Sequence, residues 1–138
     1  MWSAVAVAIA IAAVIEGCSP SSPRVVPVEM WVSGDDGLTQ RFEIELRAAL
    51  AESGRFSLIK TLATRGDANG EQRLVLTIAH GLRRTSAEDA GPYAYSIEFT
   101  DAAGKLIGES NDLCLEANLS PCIAHVLRDA EAAADRLR

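Results

Sequence analysis

Two stretches of this 138-residue chain repeat their apolar side chains with different periods, and together they fix the kind of fold available. Over 93–99, Tyr93, Tyr95, Ile97 and Phe99 alternate with small or polar residues, the period of a strand with one buried face. Over 121–137, Ile123, Val126, Leu127, Ala130, Ala133, Ala134 and Leu137 fall within roughly 120° of arc, the width of a helix's core-facing stripe. Arg128, Asp129, Glu131, Asp135 and Arg136 lie on the other side. Leu38, Phe42, Leu46, Ala49 and Leu50 mark another helix over 38–53. Asp35 or Asp36 supplies its N-cap, and Gly54 stands at the left-handed position past its end. Ser120 is expected to cap the last helix, with Pro121 at its first position. Strands are expected at 25–32, with Pro27 near the start or on an edge, and at 55–62. A third, over 73–84, puts Leu74, Leu76, Ile78, His80 and Leu82 on one face. Two more flank a tight Asp101–Gly104 turn.

The order β-α-β-β-β-β-α predicts an α+β two-layer sandwich, a four- to five-stranded mixed sheet with both helices on one face. The strands around the first helix should pair in parallel through a right-handed crossover, and the later ones as an antiparallel meander. There is room for one domain only.

The first residues do not belong to that domain. Ala4 to Ile15 are twelve consecutive apolar residues, six of them alanine. A bilayer core needs about 20 residues to cross, whereas the apolar part of a secretion signal runs about 7–15. The run closes on "IEGC" and passes into "SPSSP", a polar, proline-broken stretch suited to a tether and not to a helix. Ile15-Glu16-Gly17-Cys18 resembles the lipobox of bacterial lipoproteins, with an aliphatic residue three before the cysteine and a small one just before it. That resemblance implies cleavage before Cys18, lipidation of Cys18 and, from Ser19, export to the outer membrane. The expected organisation is a signal segment at 1–17, lipidated Cys18 and tether over 18–24, and one domain over 25–138.

The formal charge is −6; removing residues 1–17 takes only Glu16, leaving 13 cations against 18 acids, or −5. No run of basic residues appears, so a nucleic-acid partner is not expected. In an exported chain the remaining even pair, Cys114 and Cys122, reads as a disulfide. The alternative is a metal site, Cys114-x₇-Cys122-x₂-His125 with His80 recruited from a strand, which lacks a nearby fourth ligand. His80 is expected on the core face, and His125 to be exposed, roughly 140° from the centre of its helix's apolar stripe. Ser, His and Asp occur, but without the spacing of a triad, so no catalytic residue, metal or cofactor is assigned.

The stretches "LRAALAESGRFSLI" (46–59), a helix closed by Gly and followed by an aromatic-led strand, and "YSIEFTDAAGKLIGES" (95–110), a hairpin around Asp-x-x-Gly, carry a further resemblance. The layout resembles the small lipidated α/β domains of the Gram-negative envelope. These include the TolB amino-terminal domain, the curli-secretion and penicillin-binding-protein-activator lipoproteins, the lipopolysaccharide-assembly lipoprotein and auxiliary lipoproteins of lipid transporters. The resemblance implies a periplasmic binding or adaptor module rather than an enzyme, docking on an envelope protein complex. Ile44, Ala48 and Ala51 form a second apolar stripe opposite the core stripe of the first helix, a candidate partner contact. The alternative is a lipid or lipopolysaccharide handler, which needs an apolar cleft or cations for phosphate; Arg83 and Arg84 are the adjacent basic pair.

Overall fold

The computed structural model describes residues 24–60, 72–85 and 91–137. Its elements are β1 (Val26–Val32), α1 (Gly37–Glu52), β2 (Phe56–Leu58), β3 (Leu74–Ile78), β4 (Arg83–Arg84), β5 (Tyr93–Thr100), β6 (Leu106–Cys114) and α2 (Ser120–Ala134). The α+β class holds, with six strands among the described residues where four or five were expected. β1 pairs in parallel with both β2 and β3; β5 runs antiparallel to β3, β4 and β6. β3 and β4 share one edge of β5, because β6 pairs along the whole of the other.

One core lies between sheet and helices. Val26, Val28, Met30, Leu74, Leu76, Ile78, Tyr93, Tyr95, Ile97 and Phe99 form its sheet side; Phe42, Leu46, Leu50, Ile123, Val126 and Ala130 form its helical side. α1 packs on α2 and β2, and α2 on β5 and β6. Among the described residues no helix covers the other face of the sheet, and there Trp31 is half exposed, its indole N–H donating to Glu29 at 3.0 Å. Pro27 lies inside the sheet but costs no ladder bond. The Val26 N–H bonds toward β2, so the neighbouring position faces β3, whose pairing begins only at Val28.

The expected strand over 73–84 is broken. Five residues, 78–82, face three on β5, 95–97, between the Thr77–Glu98 and Arg83–Ala94 pairs. Gly81, at φ +65°, makes the break: a Cβ there would lie 3.0 Å from Thr39 Oγ1 and 3.3 Å from the Ser33 carbonyl. His80 is therefore exposed rather than on the core face, while Leu82 returns to the core. β2 stops at Leu58 instead of continuing; residues 61 and 62 of the expected strand lie outside the described residues.

Candidate functional site

Because β1, β2 and β3 are parallel and each helix returns against them, the domain has two distinct poles. The described chain enters at Arg24, beside the starts of β1, β2 and β3; both helices begin at the opposite, distal pole. At that distal pole Asp36 caps α1, accepting from the Thr39 N–H at 2.8 Å and the Thr39 hydroxyl at 2.6 Å. The Thr39 oxygen in turn accepts from the Leu82 N–H at 3.0 Å, which fastens the β3–β4 break over the helix start. These hydrogen bonds, that from the Thr39 side chain first, hold the Asp36 carboxyl below its ordinary value of 3.8. A depressed folded value means that the stabilisation is present above 3.8 and is lost as pH falls through the folded value. Asp36→Ala should cost about 1 kcal/mol at neutral pH, the usual loss for a removed N-cap. In urea melts at descending pH the gap to wild type should close below pH 4 (, roughly); a constant gap would remove the carboxylate from the cap.

Beside this cap opens a cleft of about 540 Å³. Leu38, Leu82 and Tyr93 line it, with Asp36, Arg84 and Glu116 as its charged members. The Arg84 guanidinium stands 5.4 Å above the centre of the Tyr93 ring. Tyr93 donates its hydroxyl proton to Glu116 Oε2 at 3.1 Å, and Arg41 donates to the Glu116 carbonyl at 2.8 Å. The cleft thus offers a small apolar floor, one guanidinium and two carboxylates.

Glu116 sits in a loop held by the Cys114–Cys122 disulfide, whose Cα atoms are 6.0 Å apart. Bonded to each other, these sulfurs are not thiolate ligands for the Cys-x₇-Cys-x₂-His alternative. Leu119, buried at 2%, caps α2 with no side-chain hydrogen bond, and Ser120 is the first helical residue rather than the cap. Burying Leu119 fixes the chain's approach, and the Cys122 and Ile123 N–H groups both bond its carbonyl.

His125 is half-buried, not exposed. Its Nδ1 lies 3.1 Å from Tyr95 Oη and 3.3 Å from Asp112 Oδ2; its Nε2 lies 3.2 Å from Asp129 Oδ2. The imidazole thereby ties α2 to β5 and β6. Burial pushes the Tyr95 phenol above its ordinary 10.0. The neighbouring Ser110 hydroxyl opposes that shift, although its Oγ is outside hydrogen-bonding geometry with any partner. The Asp129 contact was readable as an i,i+4 pair on α2; the Tyr95 and Asp112 contacts needed the sheet register.

The stripe on the outer face of α1 is present as placed. Ile44 is 67% exposed, the highest value among large apolar side chains of the described residues, and Ala48 and Ala51 are exposed with it. Arg41–Glu45 and Arg47–Glu43 ion pairs flank Ile44. Cys18 and its tether lie outside the described residues. Among those that are described, no helix is long and apolar enough to cross a membrane.

No protein-family model matches this sequence, and no curated protein matches it. Two solved structures are similar in outline. One is a minor lipoprotein from Acinetobacter baumannii, 12% identical, at a TM-score of 0.41 over 80% of this chain and 89% of that one. The other is a Xanthomonas campestris protein of the DUF330 family, 8% identical, at 0.40 over 85% of this chain and 82% of that one. Likeness of this size is too loose to transfer a role.

Proposed function

We propose that this chain is a lipid-anchored adaptor module of the Gram-negative cell envelope. Cys18 would hold it in the outer membrane with the domain in the periplasm, where it docks on an envelope protein through Ile44, Ala48 and Ala51. The observation that carries the reading is Ile44, a branched apolar side chain 67% exposed in the middle of a capped helix. An isolated exposed apolar residue is ordinary, but here two exposed alanines extend it into a flat strip. Ile44→Arg should leave the fold intact and abolish recovery of the partner after in-cell crosslinking. Identical recovery with wild type and variant would overturn the site.

The distal cleft favours a second reading, that of a lipid or lipopolysaccharide handler. Its apolar floor of Leu38, Leu82 and Tyr93 lies against the Arg84 guanidinium, the pairing an acyl chain with a phosphate head requires. Solvent extraction of the purified protein followed by lipid mass spectrometry separates the two readings. Lipid recovered with wild type and lost with Arg84→Glu would favour the handler.

A further inference from the structure

The pole opposite the cleft gathers cations that are far apart in sequence. Arg24 precedes β1, Arg55 precedes β2, Arg73 precedes β3, Lys105 closes the β5–β6 hairpin and Arg136 follows α2. All five come to one end because the three parallel strands start there and both helices finish there. They are five of the chain's thirteen Lys and Arg, against four carboxylates at the same end among the described residues: Glu29, Glu52, Asp101 and Asp135. Three of those carboxylates are already engaged. Asp101 Oδ1 accepts from the Ala103 and Lys105 N–H groups, Asp135 pairs with Arg55, and Glu29 pairs with Arg73 at 3.3 Å. Among the described residues, Arg24 and Arg136 bond neutral acceptors, Gln72 and the Ile107 carbonyl. Counted over the described residues, this end carries a small positive excess in a chain whose sum is −6. Two apolar side chains stand exposed there, Val25 at 51% and Leu106 at 55%.

We propose that this pole is a membrane-seating surface: its cations contact anionic phospholipid headgroups while Val25 and Leu106 enter the interface. The proposal rests on the reading of Cys18 as a lipid anchor. Five residues lie between Cys18 and Arg24, and the six steps reach about 20 Å when fully extended. A free domain with so small an excess would not stay on a bilayer, since each basic residue near an anionic surface contributes only about 1 kcal/mol. The anchor changes that, because a short tether makes each headgroup contact effectively intramolecular. Seated this way, the domain turns the cleft away from the membrane and leaves the outer face of α1 open at the side.

β6 supplies a matched pair of probes. Leu106 and Leu113 stand at its two ends and are equally exposed, 55% each. Trp31 is the sole tryptophan after residue 17, so Trp31→Phe clears the background. The mature protein carrying Leu106→Trp or Leu113→Trp is reconstituted in vesicles of phosphatidylcholine, with or without phosphatidylglycerol, and read by quenching from brominated acyl chains. We expect quenching at position 106 and none at 113, with the effect stronger in the anionic vesicles and lost at high salt. Arg24→Gln with Lys105→Gln should lower the equilibrium constant for seating about 30-fold, the equivalent of two cations at about 1 kcal/mol each. Equal signals at 106 and 113 in a protein shown by intact mass to be lipidated would overturn the seating surface and leave the anchor standing. An unlipidated protein that still quenches at 106 would keep the surface and overturn the anchor.

Discussion

Phe42→Ala should lower the unfolding free energy by about 3–5 kcal/mol, the usual cost of emptying a buried aromatic site. Phe42 is fully buried on the inner face of α1, and its ring lies 5.5 Å from that of Tyr95 on β5. It is a main contact between helix layer and sheet, so the vacancy is bounded by elements that other contacts hold apart. α1 is tied at its start by Asp36 and Thr39, and the sheet is tied by its ladders, so neither can move in to fill the space. The loss is a large share of the 5–15 kcal/mol expected for a domain (, roughly). Ile44→Ala, on the same helix, should change stability by less than about 0.5 kcal/mol. Paired urea titrations give both values. A Phe42→Ala cost near that of Ile44→Ala would mean that α1 does not pack on this sheet.

Where periodicity was long and uninterrupted, the sequence was enough. Tyr93 to Thr100 and Ile123 to Ala134 fold as their patterns predict, and Gly54 follows α1 at φ +67° as a left-handed cap should. The Asp101–Gly104 turn was legible from local chemistry alone. The Asp101 carboxylate takes two backbone N–H groups, and Gly104 at φ +83° reverses the chain. What was not legible depends on partners distant in the chain. Leu74 through Leu82 alternates without a visible fault, yet the strand must break so that Gly81 can pass Thr39, a contact across more than forty positions. His80 was misplaced for that reason: the two extra residues of the break turn it outward, and Leu82 then resumes the core face. His125 was misplaced because a helical wheel shows which residues face the core, not what stands at the rim. The sheet edge brings Asp112 to the imidazole and Tyr95 reaches it from the core side. The cleft was invisible for the same reason, its walls coming from α1, β4, β5 and the loop before α2. The stripe of Ile44, Ala48 and Ala51 was legible because exposure on an amphipathic helix follows from angle alone.

The second large effect is expected at the cysteines. With Cys18 lipidated and Cys114 joined to Cys122, the mature protein has no free thiol. Cys122→Ser should cost about 2–3 kcal/mol, the chain-entropy value for so short a loop. The cost should fall unevenly. The bond closes the loop that carries Glu116 and seats Leu119, so the wall of the distal cleft should loosen while β1 to β3 keep their pairing. Cys114 is only 1% exposed, so in the variant it should react with thiol reagents when that loop opens and not in the closed state. Cys18→Ser should behave in the opposite way. The core begins at Val26, so the fold should survive unchanged while the protein leaves the membrane fraction. Thiol labelling of the denatured but unreduced wild-type protein tests both assignments in one measurement. No label is the expected result. One labelled thiol would mean that Cys18 carries no lipid, two would mean an open disulfide beside a lipidated Cys18, and three would remove anchor and staple together.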